Sequence, residues 1–194
     1  MTTTFKTRTA ALACAAAALA LSGCGKQGTV VQGRVIVYDP QARQVTLIQE
    51  PAGAAGSSPG ILPPVTIGTP EDPGEMGPAP AAGGLMLLDS KHRRIVIYDR
   101  AAQSFRTIAY TPLEERYNVV KSPARPALDR VRKTITIYSA KDRSLITFAA
   151  SDDLLAMPAD TWRAGDVVRY YYKDPARALR LMNVTKTDLS KSAG

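Results

Sequence analysis

The sequence predicts an all-β protein of antiparallel repeated hairpins forming a barrel or sandwich, interrupted by one long Pro/Gly-rich loop. Three observations carry that prediction. Short β-branched runs end repeatedly at tyrosine, as in Val35-Ile36-Val37-Tyr38 and Ile95-Val96-Ile97-Tyr98. The runs recur at a fixed spacing, and residues 51–84 concentrate eight of the fourteen prolines and eight of the fourteen glycines, a density that excludes a regular helix. The apolar fraction of 45% is enough for a packed core, and 22% charge of mixed sign argues against a disordered chain.

In chain order, Lys6 and Arg8 precede twelve uncharged residues, Ala10 to Leu21. Spanning the ~30 Å of bilayer hydrocarbon takes about 20 apolar residues, so this run reads as a secretion signal rather than a permanent span. Leu21-Ser22-Gly23-Cys24 then resembles the lipobox of bacterial lipoproteins. The resemblance implies cleavage between Gly23 and Cys24, a thioether-linked diacylglycerol on the Cys24 sulfur, and acylation of the new amine by a fatty acid such as palmitate. Small groups at Ser22 and Gly23 let the backbone enter a protease cleft, and only a thiol can form the thioether. Two or three acyl chains, at about 0.8 kcal/mol per buried CH₂, anchor a protein where one does not. Residues 1–23 are therefore expected to be a signal peptide and 24–32 the lipid attachment and tether. By the sorting rule of the lipoproteins it resembles, in which Asp after the Cys signals inner-membrane retention, Gly25 implies an outer-membrane destination facing the periplasm.

Residues 33–50 read as a first hairpin: a β-branched run to Tyr38, a polar turn, and Val45-Thr46-Leu47-Ile48. Within the 51–84 loop, Pro64 to Ile67 is expected to form one short edge strand. Residues 85–187 form a repeated hairpin body. Leu88-Asp89, followed by Arg94 to Tyr98, matches Leu128-Asp129, followed by Thr134 to Tyr138, at an offset of 40 that continues to Phe105 and Leu145. Tyr38 with Val45 and Tyr172 with Leu179 share the Tyr-plus-seven spacing, giving four units. The one helix-length stretch, 152–162, is limited to about a turn by Pro158. Residues 188–194 are a tail.

Alternation by two puts Val35, Val37, Ile95, Ile97, Ile135 and Ile137 on the core face. It puts Arg34, Ile36, Tyr38, Arg94, Val96, Tyr98, Thr134, Thr136 and Tyr138 on a mixed, partly solvated face. Three architectures fit these strands: a single irregular sandwich or barrel of about ten strands, two small barrels divided near residue 121, or propeller blades. Four regular four-stranded blades need more residues than the chain provides. The pairs Gly33-Arg34-Val35 with Val45-Thr46-Leu47, and Gly165 to Val168 with Ala178 to Leu181, look like strand pairs of oligonucleotide-binding-type barrels.

Over residues 26–190 the chain resembles an uncharacterised family of small bacterial envelope lipoproteins, most clearly in Lys133 to Tyr138 and from Pro158-Ala159-Asp160-Thr161-Trp162 through Tyr172. The resemblance implies a lipoprotein and brings no activity with it.

Few residues offer reaction chemistry. Cys14 leaves with the signal and Cys24 is consumed by lipid, which leaves neither a disulfide nor a catalytic thiol. His92 stands among Lys91, Arg93 and Arg94, whose positive charges repel a metal. Met76, Met86, Met157 and Met182 share no spacing, no Asp-x-Asp-x-Asp loop occurs, and no glycine-rich phosphate loop appears. Asp39, Asp99 and Asp174 follow strands, the position of turn caps. The expectation is no catalytic residue, no metal and no cofactor.

Charge is the stronger clue. Residues 25–90 carry a net charge of −3 and residues 91–187 a net charge of +9. In an envelope compartment the available anions are lipid headgroups, lipopolysaccharide phosphates and acidic glycans, which makes nucleic acid an unsuitable partner. Arg94, Tyr98, Tyr138, Arg169, Tyr170, Tyr172 and Arg180 are the candidate ligand-binding residues, since Arg pairs with phosphate and Tyr stacks on sugars. The expected function is a lipid-anchored, non-enzymatic binding or assembly module. Its expected partners are the membrane, through the anchor, and an anionic envelope glycan, lipopolysaccharide or envelope protein. The alternative is a small periplasmic barrel carrying a metal or small ligand.

Overall fold

One turn chemistry builds most of the protein. The computed structural model describes residues 27–49, 62–120, 127–139 and 142–187. The signal, the lipobox with Gly23 and Cys24, residues 51–61 of the Pro/Gly stretch and the 188–194 tail lie outside the described residues. The strands are β1 (Thr29–Asp39), β2 (Gln44–Gln49), β3 (Val65–Gly68), β4 (Leu85–Asp89), β5 (Arg94–Asp99), β6 (Ser104–Ala109), β7 (Pro112–Arg116), β8 (Ala127–Asp129), β9 (Thr134–Ser139), β10 (Ser144–Ala149), β11 (Val167–Tyr172) and β12 (Arg180–Asn183), with one short helix, α1 (Asp152–Ala156).

The turns β1–β2, β5–β6 and β8–β9 each open with an Asp whose Oδ1 accepts two following N–H groups. Asp39 takes those of Gln41 and Ala42, Asp99 those of Ala101 and Ala102, and Asp129 those of Val131 and Arg132. Asp89 caps His92 in the β4–β5 turn, and Ser139 stands in for Asp before β10. Every one of these turns closes through a left-handed residue: Arg43, Arg93, Gln103, Lys133 and Arg143, with φ between 50 and 53°. Four of them are fixed from outside, since their carbonyls accept the N–H groups of Thr69, Tyr110, Ala150 and Val119 at 2.8–3.0 Å. Thr69, Tyr110 and Ala150 each lie one residue past the third strand of a meander. The repeated unit is thus a three-stranded meander, present as β1-β2-β3, β4-β5-β6 and β8-β9-β10.

The Tyr-plus-seven spacing is a register. Tyr38 pairs with Val45, Tyr98 with Phe105 and Tyr138 with Leu145 directly across their hairpins. The fourth unit departs from it. Tyr171, not Tyr172, is the last ladder partner there, opposite Arg180, and Asp174 caps Ala176 in a turn without a left-handed residue.

The strands assemble as three antiparallel sheets, β12-β11-β1-β2-β3, β4-β5-β6 and β7-β10-β9-β8. No sheet closes into a barrel, and the sandwich-like arrangement is the one the alternating pattern supports. A division into two barrels near residue 121 does not occur, because β11 pairs with β1 over six residues and draws both ends of the chain into one sheet. The two expected barrel strand pairs are therefore neighbours in that sheet. β3 lies at its edge, as expected of the Pro64 to Ile67 stretch.

Two clusters glue the sheets together. Ile95 and Ile97 of the second sheet meet Ile135, Ile137, Ile146 and Phe148 of the third, with Leu154, Leu155 and Trp162 closing the end. Ile36 and Ile48 of the first sheet meet Tyr98, Met86 and Phe105 of the second. The three-stranded sheet is thus the middle layer. Each fully buried Ile contributes about 1.5–3 kcal/mol relative to exposure.

Three face assignments change as a result, those of Val37, Tyr98 and Ile36, the last being 1% exposed at the seam with the second sheet and not on a partly solvated face. A bulge between Val35 and Val37 breaks the alternation, so Val35 enters the first-sheet core while Val37 packs with Ile36. Tyr98, expected on a partly solvated face, is 6% exposed because that face is covered by the first sheet. The 152–162 stretch forms a single turn of helix, and Pro158 separates it from a 3₁₀ turn over Ala159–Trp162.

Candidate functional site

The first sheet has one face that the second covers only in part. Along β1 the alternation places Val30, Gln32 and Arg34 on it, along β11 Val167, Arg169 and Tyr171, and along β12 Arg180 and Met182. The register aligns these into rows across the strands: Val30–Tyr171–Arg180, Gln32–Arg169–Met182 and Arg34–Val167. Beyond Arg34 the same face continues to Ile36 and Ile48, where the second sheet covers it. The uncovered part carries three arginines and no acidic strand residue.

Arg169 donates from Nη2 to Gln32 Oε1 at 3.1 Å, a bond along its own row. Arg180 Nε lies 3.1 Å from Glu75 Oε2, on the segment that borders β12, and its side chain remains 71% exposed. That segment is held to the strand by Gly77 N–H donating to the Leu181 carbonyl at 2.8 Å. Between the segment and the sheet lies an open cavity of about 550 Å³, lined by Val30, Arg169, Tyr171, Arg180 and Met182 among others. Arginine beside an aromatic ring has the chemistry to pair with a phosphate or carboxylate and to stack on an adjoining apolar group.

The seven residues selected from the sequence do not come together as a set. Arg94 and Tyr98 belong to the second sheet, Tyr138 to the third, and Arg169, Tyr170, Tyr172 and Arg180 to the first. Arg94 is engaged in its own turn, where Nη2 donates to Asp89 Oδ2 at 2.9 Å. With the His92 N–H it holds the Asp89 carboxyl well below the usual carboxylate range. Tyr98 packs edge-on against Phe105 with centroids 5.4 Å apart. Tyr138 donates to the Val119 carbonyl at 3.2 Å. Tyr170 is 2% exposed and its hydroxyl accepts from Gln49 Nε2; burial pushes its pKa up. Tyr172 stacks on Tyr170 at 5.5 Å. Only Arg169 and Arg180 reach the open face.

The tyrosine that does reach it is Tyr171, which the sequence set omitted. Alternation alone identifies it, because Arg169 and Tyr171 are two apart on one strand and must share a face, whereas Tyr170 and Tyr172 point the other way.

Other charged groups are engaged locally. A polar cleft of about 800 Å³ is bounded by the β1–β2 turn, the segment after β3 and the β11–β12 connection. Five of its charged groups are engaged locally: Arg43 with the Pro70 and Glu71 carbonyls, Arg177 with Glu71, Asp72 with the Gly74 N–H, and Asp174 with the Ala176 N–H. His92 is exposed and bonded to Asp89 through Nδ1 at 2.8 Å. Asp39, Asp99 and Asp174 all cap turns. Among the described residues no three His, Cys, Asp or Glu side chains converge where a metal ion could be held, and no helix is long and apolar enough to cross a membrane.

Layered antiparallel meanders, with one arginine-bearing face that the second sheet covers only in part, define an all-β, sandwich-like protein. A family model described as "Domain of unknown function (DUF4881)" matches residues 26–192, and the chain belongs to that family. No curated protein and no solved structure matches it.

Proposed function

We propose that the protein is a lipid-anchored component of the bacterial cell envelope, held at the outer membrane by acyl groups on Cys24, that works by binding and not by catalysis. The observation that carries this reading is the lipobox Leu21-Ser22-Gly23-Cys24 standing five residues ahead of β1, the strand that carries part of the uncovered cationic face. Support also comes from the family match, which begins two residues beyond Cys24. The binding role draws support from the engagement of the described carboxylates in turn caps and ion pairs, and from the single His lying exposed in a turn. An anionic envelope component is the partner class that three arginines and a tyrosine on one face would recognise.

Intact mass of the protein purified from membranes tests the anchor. The expected product starts at Cys24 and carries two or three acyl chains, and Cys24→Ala appears unprocessed. A retained Met1, or a bare thiol at Cys24 in the wild type, defeats the reading. Fractionation supplies a second measure: detergent, and not salt, is expected to release the wild type.

A further inference from the structure

The partner of the uncovered face follows from where the chain leaves it. Gly28, just ahead of β1, lies against the ring of Tyr171, so close that a Cβ there would overlap the phenol. The chain therefore reaches β1 beside Tyr171, at the end of the Val30–Tyr171–Arg180 row. From Cys24 to Thr29 is five residues, at most about 17 Å when fully extended. A globule of this length is about 40 Å across. Such a tether is too short to turn the far side of the body toward the point of attachment. What lies nearest the anchor is this face.

Its chemistry suits the outer few ångströms of a bilayer. Among the described residues Arg34, Arg169 and Arg180 are its cations, and Glu75, paired with Arg180, is an acid at its rim. Between them stand Val30, 60% exposed, and Tyr171 and Met182, both half-buried. Arginine and tyrosine interleaved with apolar groups is the composition of surfaces that sit at headgroup level, where cations meet phosphates and aromatic rings reach the acyl boundary. The turns of the third sheet, separated from this face by the middle layer, carry exposed cations too, but the five residues from Cys24 to Thr29 join the first sheet and not the third.

We propose that the β1–β11–β12 face lies on the anionic headgroups of the leaflet that holds Cys24, so that the lipid anchor and the sheet face bind the membrane together and fix the orientation of the body. The proposal rests on the anchor reading above, and its test separates the two. Acylated Val30→Cys, Met182→Cys and Val131→Cys variants, each with a nitroxide label, are reconstituted in vesicles of phosphatidylglycerol and phosphatidylcholine. Val131, 94% exposed in the β8–β9 turn, is the reference.

Collisions with a water-borne nickel chelate are expected to be about ten-fold rarer at positions 30 and 182 than at 131. The difference should shrink to about two-fold in phosphatidylcholine alone or in an Arg169→Glu/Arg180→Glu background. Equal accessibility at all three positions in anionic vesicles, with acylation verified by mass, overturns the face while leaving the anchor standing. If the mass shows a bare Cys24, the anchor reading fails, and co-sedimentation of that same protein with the anionic vesicles decides the face. Retention at about 50 mM salt that is lost at about 500 mM supports the face, and no retention at either overturns it. Protection of Val30 by peptidoglycan or lipopolysaccharide but not by vesicles also overturns it, in favour of a glycan.

Discussion

Asp166 and Asn183 form a buried clasp: Asn183 Nδ2 donates to Asp166 Oδ2 at 2.8 Å, and the same oxygen accepts the Ala81 N–H at 2.8 Å. Lys186 Nζ adds an ion pair at 3.2 Å. Asn183 also donates to the Pro78 carbonyl, and Lys186 donates to that of Ala79. One carboxylate thereby ties the irregular 78–82 segment to β11 and β12 and shapes a wall of the cleft beside the cationic face.

The clasp has a pH signature. Burial raises the Asp166 pKa, but the Ala81, Asn183 and Lys186 bonds together outweigh it and leave the carboxyl below its usual value. A lowered folded-state pKa contributes stability that is present above the unfolded value, about 3.9, and is lost as pH falls through the folded one. Asp166→Ala is expected to cost about 3 kcal/mol at pH 7, since it leaves the Ala81 N–H without its acceptor and takes one of two acceptors from the buried Asn183 amide. Asp166→Asn should cost less and fall less steeply in stability below about pH 4. Urea melts of wild type and both variants at neutral and acid pH measure this, and an unchanged acid limb in Asp166→Asn would refute it.

Tyr98 lies in the seam between two sheets, and Tyr171 on the face proposed to meet the membrane. Tyr98 joins Ile36 and Ile48 at the seam between first and second sheets, so Tyr98→Ala should cost about 3–5 kcal/mol, as for other large aromatic truncations. Tyr171→Ala, on an open face, should cost under about 1 kcal/mol and instead weaken attachment to anionic vesicles. Trp162 is the only tryptophan and is wholly buried against Phe148, so its fluorescence reports unfolding in both cases. Equal losses of stability in the two variants would contradict the layer assignment.

Much of this was legible in the sequence because it is local. Meander turns need an Asp, a short polar run and a residue that tolerates positive φ, all within five positions. The offset of 40 and the Tyr-plus-seven register follow from that local grammar. Three things were not legible. The bulge at Val35 arises because its N–H and carbonyl leave the ladder for Asp166 and Gly83, residues remote in sequence. The burial of Tyr98 and Tyr170 depends on which sheet covers which face. The pairing of β1 with β11 brings together residues some 140 apart, and no periodicity encodes it. The omission of Tyr171 is different in kind, since Arg169, Tyr170 and Tyr172 cannot share one face of a strand.

The left-handed turn residues are a reserve of stability. Gln103 has φ 50° in the β5–β6 turn, a conformation that costs a non-glycine residue about 1–2 kcal/mol. Glycine there removes that cost but loses more chain entropy on folding, about 0.5–1 kcal/mol. Gln103→Gly should therefore stabilise by about 0.5–1 kcal/mol, raising Tm by about 2–4 °C. Gln103→Ala keeps the strain and should gain nothing. Thermal melts of the pair distinguish relief of backbone strain from loss of the Gln side chain, and a destabilised Gln103→Gly would show that the turn is not strained.

Gly165 presents the opposite case, a glycine required by contact rather than by dihedral angle. It sits where three segments cross: Val35 N–H donates to the Asp166 carbonyl at 2.9 Å, Gly83 N–H to the Val35 carbonyl at 3.1 Å, and Asp166 N–H to the Ala81 carbonyl at 2.8 Å. A Cβ on Gly165 would fall inside the van der Waals shell of the Val35 carbonyl oxygen and press on the Gly83 nitrogen, both backbone atoms with no rotamer to yield. Gly165→Ala must therefore separate the bulge from the 81–84 segment or break their hydrogen bonds. It is expected to cost about 3 kcal/mol, at the upper end for overpacking a close site. The damage should fall first on the bulge and the clasp beside it, so amide exchange at Val35 and Ala81 should accelerate more than at Ile135 in the third sheet. A uniform acceleration across all three would mean that the crossing is not a local unit of stability, and near-wild-type stability would mean that the backbones do not approach so closely.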